Sequence, residues 1–280
     1  AVKVIRCEML ERQRLEAWAG AYPPVRTPKR VLVVMAGNIP LVGFFDLLCV
    51  LASGHACRVK PSSKDTVLIG YVVDLLRTID PAIPLRMAEQ GERPDAVIAT
   101  GSDNANRYFR MLFGGIPSLL RGSRQSVAVL SGRETAAELS GLEEDIFSYS
   151  GLGCRNVSLL FLPRGYLPEL RCTALNEKYR RNYLRERALL RMRRMPFVDL
   201  DGAVLCEDRS FPAALSCIHY TFYDSLADVE AWLAAHDDRL QCVVSQCVRH
   251  SRRVAFGRAQ HPGLTDYADD VDTMRFLGTI

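Results

Sequence analysis

The chain has 280 residues, 48% hydrophobic and 24% charged, enough to bury one large core or two smaller ones. No run of eighteen apolar residues occurs and the opening AVKVIRCEML lacks the pattern of a secretory leader, so a cytoplasmic protein without a membrane span is expected. The net charge of +4 is modest, and the nine cysteines show neither the paired spacing of a zinc site nor the framework of a small secreted domain.

In chain order, VLVVMA (31–36) predicts a buried strand, Gly37-Asn38-Ile39-Pro40 a turn, and residues 41–54 a helix stopped near Gly54. CRVK (57–60) predicts a second strand, residues 65–80 a crossover helix behind an Asp65 cap, and DAVIAT (95–100) a further strand. Gly101-Ser102-Asp103 then opens the helix NANRYFRML, presenting backbone N–H groups and a positive dipole end. SVAVL (126–130) follows as another strand. Short β-rich runs alternating with helical patterns over residues 30–135 predict a doubly wound parallel sheet.

From 133 the pattern changes. A helix, ETAAELSGLEEDIFSY, runs into Gly151-Leu152-Gly153-Cys154 and the β-rich NVSLLFLP (156–163). Beyond it come a helix near 167–193, strands near 203–206, 216–222 and 241–245, and a helix at 225–236. The last residues predict a surface segment in which Met274, Phe276 and Leu277 dock. The organisation expected is a cofactor domain over 1–140, a catalytic domain over 141–258 and a segment 259–280 packing back on the first. The chain opens on Ala1, as a trimmed or processed version of a longer one would.

Cys154 is the first candidate for chemistry, because glycines at 151 and 153 keep its thiol unobstructed and admit backbone N–H groups to a reacting carbonyl. The plain alternative is a turn cysteine that packs. The five histidines show no ligand spacing with one another or with the cysteines, so no metal site is expected. The helix around Lys178–Arg194 is strongly basic. It could attract the phosphates of coenzyme A or another polyanion, though a solvated or partner-facing helix is the plainer reading, and no nucleic-acid partner is expected.

Three segments carry a resemblance. VLVVMAGNIPLVGFFDLLCVLASGHACRVKPSSKD is similar to the aldehyde dehydrogenase segment in which a strand, a Pro/Asn turn and a helix lead to a strand ending in Lys-Pro. ATGSDNANRYF resembles the Gly-Ser turn beneath the nicotinamide cofactor, and GLGCRNVSLLFLP resembles the catalytic cysteine segment. MAGNIPLVGF, RQSVAVLSG, EDIFSYSGLGCRNVS and DYADDVDTMRFL further resemble the LuxC-like fatty acyl-CoA reductases of that superfamily, over about residues 8–278.

The resemblance implies an α/β fold of aldehyde dehydrogenase type, a Rossmann-like cofactor domain beside an α/β catalytic domain. It makes Cys154 the nucleophile that takes an acyl group from coenzyme A as a thioester, with Asn38 donating its amide to the oxyanion together with the backbone N–H of Cys154. The alternative role for Asn38 is capping the following helix. Lys60, with Pro61, Ser62 and Ser63, would hold the adenosine ribose, and Gly101 and Ser102 the pyrophosphate. Ser63 and Lys64, where an acidic side chain would repel a 2′-phosphate, favour NADPH, with NADH as the alternative.

Two departures matter. Residues 118–123, SLLRGS, contain no counterpart of the glutamate that activates water in oxidising relatives, and the cofactor-ribose glutamate is missing near Phe211-Pro212-Ala213-Ala214. The first favours NAD(P)H-dependent reduction of acyl-CoA over aldehyde oxidation. The second keeps a non-redox, acyl-carrying relative in view. A homo-oligomer is left open.

Overall fold

The computed structural model describes residues 1–173 and 176–280. It divides into two compact units, residues 1–123 with 263–280, and residues 124–262.

The first unit is built on five strands, β1 (Arg30–Val34), β2 (Ala56–Lys60), β3 (Leu85–Met87), β4 (Ala96–Thr100) and β5 (Ser118–Arg121). Their order is β3-β2-β1-β4-β5 and every pairing is parallel. The order reverses at β1, so the crevice outside the carboxyl ends of β1 and β4 is the topological switch point, where open α/β sheets take ligands. Helices Phe44–Ala52 and Thr66–Ile79 cover the sheet, and Val31, Val33, Leu47, Val59, Val73 and Ile98 form the core between them.

Local details depart from the sequence pattern. Asp65 precedes Thr66–Ile79 but does not cap it with its side chain; instead its Oδ2 accepts the N–H of Leu41 at 2.7 Å, which holds Leu41 at φ 58° and fastens the turn after β1 to the loop after β2. The same two loops touch at Gly37, where a Cβ would lie 2.4 Å from Ser62 Oγ, so only glycine fits. The 263–280 segment is tied to this unit by polar bonds as well as by buried Met274 and Leu277 and partly buried Phe276. Trp18 Nε1 donates to Tyr267 Oη at 2.9 Å, Tyr22 Oη donates to Asp272 at 3.0 Å, and His55 Nε2 lies 2.9 Å from the carbonyl of Leu277.

The second unit holds β6 (Gln125–Val129), β7 (Val157–Pro163), β8 (Val198–Asp199), β9 (Val204–Glu207), β10 (Cys217–Tyr223), β11 (Leu240–Ser245) and β12 (Arg253–Val254). The order is β12-β11-β6-β7-β10-β9-β8, with β8 antiparallel and the rest parallel. Both faces are buried. Ala128, Leu160, Leu162 and Val244 point into one core and Val127, Leu159, Phe161 and Val243 into the other, which is why β6 and β7 read as unbroken apolar runs.

Two expectations change here. The 126–130 strand, read within the doubly wound pattern of residues 30–135, lies not in the first sheet but between β11 and β7 of the second, and the edge of the first sheet beside β4 is the short Ser118–Arg121. The two compact units divide at 123/124. The helix expected from 167 starts at Glu177, capped by Asn176 Oδ1 accepting from Tyr179 N–H at 2.8 Å; Ala174 and Leu175 of that span lie outside the described residues.

Candidate active site

In the first unit the candidate residues converge by register. Val34 pairs with Lys60 on one side and Ala99 on the other, so β1, β2 and β4 end level, neighbours about 4.8 Å apart. Asn38, Lys60–Ser63 and Gly101–Ser102 therefore all leave the same carboxyl edge. Asn38, Lys60, Ser63 and Ser102 are exposed there. The N-cap position of the next helix is occupied by Gly43, with no side-chain bond.

Gly101 is required by packing. A Cβ would sit 2.9 Å from that of Ala105 and 3.1 Å from the Phe109 ring, so glycine lets the helix Asp103–Phe113 close onto β4. Ser102 caps this helix, its Oγ accepting the N–H of Ala105 at 3.4 Å, and Asp103 is drawn aside by the N–H of Ser123 at 3.0 Å. In the first turn the N–H groups of Ala105 and Asn106 donate to Ser102, and those of Asp103 and Asn104 meet no acceptor among the described residues, an arrangement suited to an anion.

At the end of β5 stands a buried arginine. Arg121 Nη1 donates to both carboxylate oxygens of Asp46, at 2.5 and 2.7 Å, and Nη2 to Thr273 Oγ1 at 2.7 Å. Side-chain exposure is 4% for Arg121 and 10% for Asp46. No carboxylate in residues 118–123 is present to activate water.

Cys154 belongs to the second unit and is built differently. The helix Ala136–Phe147 begins in a capping box between Thr135 and Glu138 and delivers the chain into Tyr149, Ser150 and Gly151, all left-handed at φ 51°, 54° and 66°. That run costs energy at the two non-glycine positions. Asn156 holds it in place. Its Nδ2 lies within hydrogen-bonding distance of the carbonyls of Asp145 (3.1 Å), Ile146 (3.1 Å) and Ser148 (2.9 Å), while Oδ1 accepts the N–H of Gly153 at 2.8 Å. The Gly153 N–H is thereby engaged within the turn.

Below the turn the register of β6 shifts against both neighbours near Ser126, an irregularity typical of re-aimed side chains. Ser126 Oγ donates to the carbonyl of Cys154 at 2.9 Å and accepts the N–H of Cys242 at 3.2 Å. The backbone of Cys154 is thus fastened while its side chain is exposed. Cysteine environments separate the candidates further: burial pushes the thiol of Cys242 up to about 11 and that of Cys57 up to about 12, so neither is ionised near neutrality.

Asp145 completes the support. Its carboxylate accepts the N–H groups of Gly257 at 2.7 Å and Ala259 at 2.9 Å, and burial pushes its pKa up to about 7 against those two bonds. Asn156 and Asp145 were not singled out in the sequence; an Asn two residues after the Gly-x-Gly-Cys turn was the available signal.

No protein-family profile matches the chain, and no curated protein sequence does. Solved structures match in fold. The aldehyde dehydrogenase of Mycobacterium tuberculosis complexed with NAD+ superposes with a TM-score of 0.57 at 17% identity, covering 72% of this chain and 53% of that one. The substrate-bound Staphylococcus aureus AldH gives 0.56 at 19%, covering 90% and 67%. An NAD+ complex of Bacillus cereus aldehyde dehydrogenase gives 0.59 at 13%, covering 83% and 61%. The fold is that of the aldehyde dehydrogenases, and the chain spans between about half and two thirds of these structures' lengths.

Proposed function

We propose that the protein is a nicotinamide-dependent acyl-CoA reductase, releasing an aldehyde by way of a thioester on Cys154. The observation that carries this reading is an exposed cysteine on a turn fixed by Asn156 at the amino end of β7, in an aldehyde dehydrogenase fold whose 118–123 segment offers no carboxylate. The thiolate of Cys154 attacks the acyl carbonyl of the substrate, the new C–S bond forms, and the coenzyme A thiolate leaves. Asn38 is assigned the amide that stabilises the oxyanion, a contribution of roughly 2.7–4 kcal/mol for such a donor. Lys60, Ser62, Ser63, Gly101 and Ser102 are assigned to the dinucleotide, NADPH before NADH because Ser63 and Lys64 would not repel a 2′-phosphate. When bound, the reduced nicotinamide supplies the hydride that takes the thioester to the aldehyde level. Without a carboxylate to activate water the acyl-enzyme resists hydrolysis and persists for reduction.

The test is consumption of NADPH by the native protein with acyl-CoAs from acetyl to palmitoyl, beside Cys154→Ala. Turnover that falls by more than about a thousand-fold in the variant supports the reading. Carboxylic acid formed from aldehyde and NAD(P)+ without coenzyme A would instead make it an oxidising enzyme. Acylation of Cys154 with no cofactor consumption would make it an acyl carrier.

A further inference from the structure

The basic segment after β7 is the one strongly charged motif that the proposed chemistry leaves unused. Residues 177–194 carry eight Lys and Arg against two Glu. With 36 basic and 32 acidic residues in the whole chain, 28 and 30 remain elsewhere, so this segment alone makes the protein net positive. The helix Glu177–Met192 turns Tyr179, Tyr183 and Leu190 inward, the last two onto Val204 and Cys206. On the opposite side Leu184, Ala188 and Met192, spaced by four, form one outward line. Leu184 is 50% exposed, Met192 80%, and Met195 just beyond the helix 47%. Arg181, Arg185 and Arg191 bracket the line. Arg181, Arg185 and Arg187 form ion pairs with Glu177, Glu186 and Asp199, and Arg191 also acts on Asp199 through space, whereas Lys178, Arg180, Arg193 and Arg194 form no ion pair among the described residues.

A soluble polyanion or a nucleic acid would satisfy the arginines and leave the Leu184–Met192 line in water. An anionic bilayer surface satisfies both, because its phosphates take the guanidinium groups while its headgroup boundary takes the apolar side chains. We propose that the outward face of Glu177–Met192, continued by Arg193–Met195, docks the protein on a membrane rich in anionic lipid. The docking is independent of the catalytic reading and needs no span.

Full-length protein is sedimented with vesicles of phosphatidylcholine, with and without phosphatidylglycerol at roughly one third. Binding to the anionic vesicles only, lost as salt rises toward about 0.5 M, is expected. Leu184→Asp with Met192→Asp, and Arg185, Arg191, Arg193 and Arg194 all →Gln, should each lower partition at least about tenfold. Their circular dichroism and melting should match the native protein, since all six side chains are exposed, and Cys154→Ala should bind as native does. Equal binding to both vesicle types, binding to neither, or preference for a nucleic-acid oligonucleotide over anionic vesicles overturns the proposal.

Discussion

The two units position their candidate residues by opposite means. In the first, strands end level and every candidate leaves the carboxyl edge of a parallel sheet, with close packing at Gly37 and Gly101 and a buried ion pair at Arg121 setting the edges. In the second, Cys154 precedes β7 and so lies at the amino end of its strand, where crossover geometry supplies nothing. Its turn is held by the Asn156 amide bonding to backbone, against a left-handed run that resists it, while the Asp145 carboxylate ties the end of the preceding helix to residues 257–259. The first kind of site follows from topology and tolerates loop variation. The second depends on individual polar atoms and should fail one residue at a time.

The largest effect is expected in the first unit. Arg121→Ala strands the Asp46 carboxylate in the core and should cost about 3–5 kcal/mol, read by denaturant unfolding. If the variant unfolds with native stability, the ion pair does not anchor the β5 edge. Asn156→Ala leaves the Gly153 N–H and three carbonyls without their partner and should cost about 2–3 kcal/mol, together with a fall in the reactivity of Cys154 toward iodoacetamide or acyl-CoA. A stable variant with native thiol reactivity would show that the turn holds its own shape.

Asp145 gives a pH test. Its folded pKa of about 7 lies above the unfolded carboxylate value, so the folded state binds the extra proton: the group's contribution is full below about pH 4 and is lost as pH rises through about 7. Stability should therefore decline by about 2 kcal/mol more between pH 5 and 7.5 in the native protein than in Asp145→Asn, and parallel curves would remove the buried carboxylate from the account. The smallest effect is at Gly151, where φ is 66° and a Cβ would meet the Tyr179 ring at 3.5 Å; Gly151→Ala should cost about 1 kcal/mol in melting experiments. A neutral result would mean that the run Tyr149–Gly151 relaxes readily.

How much of this was legible in the sequence depended on whether a local rule carried the information. Helix and strand periodicities placed β1, β2, β4, β7 and the helices Phe44–Ala52, Thr66–Ile79 and Asp103–Phe113 within a few residues, because each buries one stripe or two faces in a way the apolar spacing records. The cysteine after the Gly151-Leu152-Gly153 turn and the Gly-Ser turn were also visible, since both rest on adjacent residues. Sheet membership was not. SVAVL is buried on both faces in either sheet, so its pattern is the same whether it closes the first or centres the second, and only the pairing with β11 and β7 decides. The roles of Asp65, Arg121, Asp145 and Asn156 were hidden for a related reason. A short polar side chain in sequence looks like a cap or a surface group, and its partner, at Leu41, Asp46 or Gly257, is chosen by tertiary folding alone. The sequence determined which segments bury and which residue types were free for chemistry; the three-dimensional structure decided which backbone groups those residues hold, because a hydrogen bond depends on distance and direction that no linear spacing encodes.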